Sequence, residues 1–150
     1  WGHAKDYVIM QWLMLQQDTP EDFVIATGKM ETVRKFVEIA AEKIGWQKDK
    51  KGPSIIWEGK GINETGRRAD NNQIVIKIDP KYFRPTDVDL LLGDATRARE
   101  KLGWKNSVTL EELISEMVIN DLNEAKKEVI LKRKGYEQNN PLETIPEIMN

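Results

Sequence analysis

The chain has 150 residues, 32% charged and 39% apolar, and its 23 Lys+Arg against 25 Asp+Glu leave a formal charge of −2. That balance describes a globular chain and excludes disorder, a collagen repeat and any global electrostatic drive toward nucleic acid or an anionic membrane. The absence of Cys and the single His remove disulfides, thiolate metal sites, Cys nucleophiles and multi-His cages, and no apolar run approaches the roughly 20 residues of a spanning helix.

A chain of this size buries about 68–70% of its unfolded surface, enough for one core. It opens on Trp1 rather than Met, which reads as a piece of something longer. Residues 7–15 are apolar almost all round, interrupted by Gln11 alone, and predict a helix buried on most of its sides. Asp18-Thr19-Pro20 stops it. Phe23, Val24, Ile25 and Ala26 read as a short buried strand that turns at Gly28. A helix follows with Val33, Phe36, Val37, Ala40 and Ile44 on one stripe, Thr32 as its cap and Gly45 at its left-handed end. Strand, glycine turn and helix make an α/β unit.

Residues 54–57 predict a further strand, and Ile74, Ile76 and Ile78 alternating with Val75 and Lys77 predict another. Between them lies a long, polar, mobile loop over 58–72 holding Gly59, Gly61, Gly66 and Arg67-Arg68. Past Pro80 the pattern turns helical. Pro85 opens a short helix through Leu92, Asp94 caps another over 95–102 closed by Gly103, and Thr109 with Glu112 forms a capping box on the longest helix. That last helix carries Leu110, Leu113, Ile114, Met117, Val118, Leu122, Ala125 and Val129 on its apolar stripe. The fold class expected is α/β, a single domain over 1–135 with a loosely docked, Pro-broken tail over 136–150.

The residues that carry chemistry are few. Gly59-Lys60-Gly61 has no following helix to aim at a pyrophosphate, and Thr27-Gly28-Lys29 lacks the rest of a phosphate loop, so both read as turns. Four residues after each Tyr stand Gln11, Thr86 and Asn140, so no Tyr-x-x-x-Lys pair exists to lower a phenol's pKa. His3 reads as a helix-start or packing residue, the Met and Trp residues of the first helix as packing groups, and Lys132-Arg133-Lys134 as a solvated helix end. One pair stands apart. In Tyr82-Phe83-Arg84-Pro85-Thr86-Asp87, Pro85 starts a helix, which puts Arg84 at the N-cap and Asp87 in the first turn on the same side. A guanidinium beside free helix amides suits a phosphate, and the carboxylate beside it suits ribose hydroxyls. A mutual salt bridge with a capping carboxylate is the other reading of the same spacing.

Longer stretches then become recognisable. Trp1-Gly2-His3-Ala4-Lys5-Asp6-Tyr7-Val8 with Gln11-Trp12-Leu13-Met14-Leu15-Gln16, Phe23-Val24-Ile25-Ala26-Thr27-Gly28, and Asp79-Pro80-Lys81-Tyr82-Phe83-Arg84-Pro85 closely resemble segments of the C-terminal part of GDP-mannose 4,6-dehydratases. Leu92-Gly93-Asp94 and Lys101-Leu102-Gly103-Trp104-Lys105 are similar to a motif shared across the extended short-chain dehydrogenase/reductase superfamily. The resemblance implies the substrate-binding part of a Rossmann-type fold, whose Rossmann domain binds NADP upstream of Trp1 together with the catalytic Tyr-Lys, Thr and Glu. It implies a lyase that removes water from GDP-mannose to give GDP-4-dehydro-6-deoxymannose, with NADP taking a hydride from C4 and returning it to C6. It further implies a homo-oligomeric cytoplasmic enzyme with no nucleic-acid or membrane partner, and a fragment inactive alone. By the resemblance Arg84 matches the diphosphate-binding Arg and Asp87 the ribose-binding carboxylate, where relatives often carry Glu. A related dehydratase or epimerase of another nucleotide sugar, or a non-catalytic binding module, are the alternative readings.

Overall fold

In the computed structural model, which describes residues 1–84 and 91–136, the first helix, α1 (Ala4–Leu15), starts where His3 Nδ1 accepts from the Lys5 amide at 3.0 Å. His3 is a helix-start residue. One turn apart on α1, Asp6 and Met10 face inward. Met10 meets Ala95, Ala98 and Trp104 in the core, with Tyr7, Leu13, Phe23, Ile25 and Leu102 packed around them.

Asp6 is 2% exposed, and a buried carboxylate is tolerable only when its oxygens are satisfied. It accepts from Ser107 Oγ at 2.6 Å, from the Ser107 amide at 3.0 Å and from the Val108 amide at 3.2 Å. The Asp6 carbonyl accepts from the Trp104 indole at 2.8 Å. Burial works to raise this carboxyl, but the Ser107 and Val108 donors and the nearby His3 outweigh it and hold the group below its ordinary value.

The outer side of α1 departs from the expected helix buried on most sides. Val8, Trp12 and Leu15 recur at helical spacing opposite Asp6 and Met10, and are 60%, 59% and 81% exposed. Apolar composition drives burial only where a surface is on offer, and the core of this chain occupies one side of the helix. Residues 23–26 show the complementary departure. Phe23 and Ile25 turn in and Val24 turns out, the rhythm of a strand, yet the run pairs with no other strand. The expected α/β unit is therefore missing among the described residues, because a strand needs a neighbour with free backbone groups.

The helix α2 (Val33–Ile44) follows the local signals closely. Thr32 Oγ1 accepts from the Lys35 amide at 3.1 Å, and Gly45 closes the helix at φ 87°. Beside it runs an antiparallel meander of β1 (Ile55–Glu58), β2 (Thr65–Arg68) and β3 (Ile74–Lys77), in that order across the sheet. The expected mobile loop over 58–72 is thus ordered, holding a single 3-10 turn (Gly61–Asn63) and the central strand. Thr65-Gly66-Arg67-Arg68 lacks strand patterning of its own. Its place comes from pairing on both edges, Trp57 opposite Gly66 on one side and Gly66 opposite Ile76 on the other. Only glycine fits there. A Cβ on Gly66 would lie 3.0–3.2 Å from Ile76, Trp57 and Ile55.

Side chains of α2 hold the meander. Ser54 Oγ donates to the Glu38 carbonyl at 2.9 Å, and the Trp57 indole donates to Glu38 Oε1 at 3.0 Å. Arg34 lies 4.2 Å over the Trp57 ring while bonding Glu64 at 2.5 Å. Beyond the sheet come α3 (Thr96–Leu102), ended by Gly103 at φ 65°, and α4 (Leu110–Arg133). The predicted capping box is formed, with Thr109 Oγ1 accepting from the Glu112 amide at 3.2 Å and Glu112 Oε2 accepting from the Thr109 amide at 2.8 Å. Compact units comprise Trp1–Val118 and the residues from Ile119 on. In the second, Glu124–Lys127 and Glu128–Lys132 pair along the helix, and the basic cluster ends it as expected. The helix predicted from Pro85 and the tail predicted past Tyr136 lie outside the described residues, apart from Leu91 and Leu92, which are not helical.

Candidate functional site

Arg84 is delivered by the sheet. After β3 the chain enters a single turn (Pro80–Tyr82), which Asp79 sets by accepting from the Lys81 amide at 2.9 Å, with Pro80 at its first position. The Tyr82 amide donates back to Asp79 at 3.1 Å and the Phe83 amide to Pro80 at 3.3 Å. The turn pushes its side chains outward. Tyr82 is 70% exposed, Phe83 is 45% exposed and Arg84 is exposed beside them. Lys81 Nζ lies 5.6 Å from the Tyr82 ring. Two cations and two aromatic faces on four consecutive exposed residues can offer charge to phosphate and a flat surface to a base. Asp87, the second expected site residue, lies outside the described residues.

The far end of this connection is pinned by close packing. Gly93 sits so tightly on residues 23–26 that a Cβ there would come 2.7 Å from Ala26 Cβ and 3.3 Å from Val24 Cγ1. Asp94 then accepts from the Thr96 amide at 2.9 Å and its hydroxyl at 2.6 Å, which hold its carboxyl below the ordinary value. The expected cap of α3 is present one residue further out, and Ala95 behind it is buried. Gly93→Ala should cost about 1–3 kcal/mol by overpacking this contact. A thermal midpoint equal to that of the unaltered chain would refute the reading.

Other motifs resolve as turns. Gly28 stands at φ 73° with Thr27 Oγ1 accepting from the Lys29 amide at 3.4 Å. Gly59, at φ 84°, lies under the Asn63 carbonyl, only 2.4 Å from where a Cβ would sit, and the chain leads on into β2 rather than a helix. A dinucleotide phosphate needs helix amides or a nest aimed at open space, so this Gly-Lys-Gly turn does not fit one. Among the described residues no group of three His, Asp or Glu gathers to hold a metal. One cleft of about 140 Å³ lies between Trp1, Lys29, Glu31 and Thr109, another of about 270 Å³ between Lys35, Glu42, Gln47 and Pro53. Neither reaches the roughly 300 Å³ at which ligand pockets begin.

Sequence reasoning passed over Asp6, the residue that joins α1 to the start of α4. The available signal was a lone carboxylate within an otherwise apolar helix, where an unpaired charge is expensive.

The family described as GDP-mannose 4,6 dehydratase matches residues 1–117. The GDP-mannose 4,6-dehydratase of Yersinia enterocolitica is 47% identical, aligned over 96% of this chain and 40% of its own length. That of Vibrio cholerae is 45% identical over 91% of this chain and 38% of its own, and that of Homo sapiens 52% identical over 81% and 31%. The chain belongs to the GDP-mannose 4,6-dehydratase family. It spans two fifths or less of the length of these relatives. No helix among its described residues is long and apolar enough to cross a membrane.

Proposed function

We propose that residues 1–135 are the C-terminal, nucleotide-sugar-side portion of a GDP-mannose 4,6-dehydratase, a lyase that converts GDP-mannose to GDP-4-dehydro-6-deoxymannose. Arg84 binds the diphosphate and Asp87 the ribose. NADP and the proton-transfer residues belong to a Rossmann-type domain elsewhere in the polypeptide, and these residues alone are inactive. The intact protein is a cytoplasmic homo-oligomer.

The observation that carries this reading is the exposed Lys81-Tyr82-Phe83-Arg84 run in a chain that matches dehydratases along almost its whole length. A guanidinium presents two parallel N–H donors to a phosphoryl group, and such charge-assisted bonds are the strong ones. The small clefts among the described residues agree with a pocket completed by other chain segments.

In the full-length protein, Arg84→Ala should weaken GDP-mannose binding by about 1.5–3 kcal/mol, or about 10- to 150-fold. Arg84→Lys keeps the charge but loses the fork and should fall between. Unaltered KM and kcat in the Ala variant would remove Arg84 from the site. Competition between GDP and UDP or dTDP sugars for the full-length protein tests the nucleotide. A preference for UDP or dTDP would favour a related dehydratase or epimerase instead.

A further inference from the structure

Two features of the first unit are left without partners inside it. The outer stripe of α1 sets Val8, Trp12 and Leu15 in water, with Ile9 beside them 42% exposed. A helix apolar all round is normally buried all round. Residues 23–26, a β-branched and aromatic run with alternating burial, make no ladder. An unpaired strand exposes a row of donors and acceptors that native proteins pair or cover.

We infer that the outer face of α1 and residues 23–26 together seat the remainder of the polypeptide, with residues 23–26 joining a sheet that the remainder supplies and the Val8-Trp12-Leu15 stripe lying on its apolar surface. The inference rests on the reading above that a longer polypeptide accompanies these residues. Area favours this occupant over a second copy of the chain. Four partly exposed side chains, of which the Trp is the largest, offer on the order of a few hundred Å². A freestanding partner needs about 800 Å² per side. A covalently joined segment does with less, because its effective concentration is high. The relatives supply such a segment, since three fifths of the Yersinia enterocolitica protein lies outside the match. Pairing as an added strand also explains why the run reads as β in sequence while remaining unladdered here.

The test compares Trp12→Lys/Leu15→Lys in this chain and in the full-length protein. In the 150-residue chain both positions are exposed, so the thermal midpoint should move by less than about 2 °C. In the full-length protein it should fall by about 5 °C or more, since two ammonium groups would be buried. Hydrogen exchange gives the second readout. The Val24 and Ile25 amides should exchange at least about 100-fold more slowly in the full-length protein than in this chain, and lose that protection in the variant. If the double variant does not fold at full length, Trp12→Ser replaces it with the same direction of change. An unaltered full-length midpoint together with equally fast exchange in both proteins overturns the inference. So does a dimer of the 150-residue chain that the double variant turns into monomer, for then a second copy covers the stripe. GDP-mannose turnover by the unaltered full-length protein is measured alongside; its absence would sink the dehydratase reading while leaving the docking readouts intact.

Discussion

Trp104→Ala should cost about 3–5 kcal/mol, the range for removing a large aromatic from a packed core. The ring is 2% exposed, sits among Met10, Ala95 and Ala98, and donates its indole N–H to the Asp6 carbonyl at 2.8 Å. Truncation opens a cavity between α1 and α3 and leaves a buried carbonyl without its donor. A domain of this size has about 5–15 kcal/mol in total, so the variant should be largely unfolded at moderate urea. Trp104→Phe keeps most of the volume and drops the hydrogen bond, and should cost about 1–2 kcal/mol. The check is urea denaturation followed by far-UV circular dichroism. A midpoint shift worth under 1 kcal/mol for the Ala variant, at unchanged slope, would contradict this account of the core.

The second large effect concerns Asp6. Asp6→Ala strips the acceptor from the Ser107 hydroxyl and from two amides at once, and should cost about 2–4 kcal/mol. Asp6→Asn retains one acceptor oxygen and should cost less. The pH dependence gives a sharper signature. The folded carboxyl titrates below its ordinary value of 3.8, so its contribution is present in full above that value and is lost as pH falls through the folded one. The stability gap between the unaltered chain and Asp6→Asn should therefore stay flat from pH 7 down to about 5 and narrow below it. A gap that widens toward acid would mean that the charged form is not the one the fold prefers. Ser107→Ala separates the hydroxyl from the amides and should reproduce only part of the loss.

Arg84 was legible because Pro85 fixes what can precede it and because the surrounding residues resemble a family. The exposure of Tyr82 and Phe83 beside it was not legible. Aromatic residues in a sequence are as readily core as surface, and only the Asp79 turn decides which way these point. Asp6 was hidden for the opposite reason. Its partners Ser107 and Val108 are a hundred residues away, and no local pattern announces them.

By itself the sequence determined the ends of the helices. His3, Thr32 and the Thr109–Glu112 pair cap through atoms two or three residues away, and Gly45 and Gly103 close helices through their own backbone freedom. Only the tertiary structure decided which segments became strands. Thr65-Gly66-Arg67-Arg68 is a strand because β1 and β3 flank it, while the better strand former at residues 23–26 has no ladder to enter. Caps are settled within a turn of chain; a ladder exists only when a distant segment presents its free backbone groups, and no local propensity can supply that neighbour.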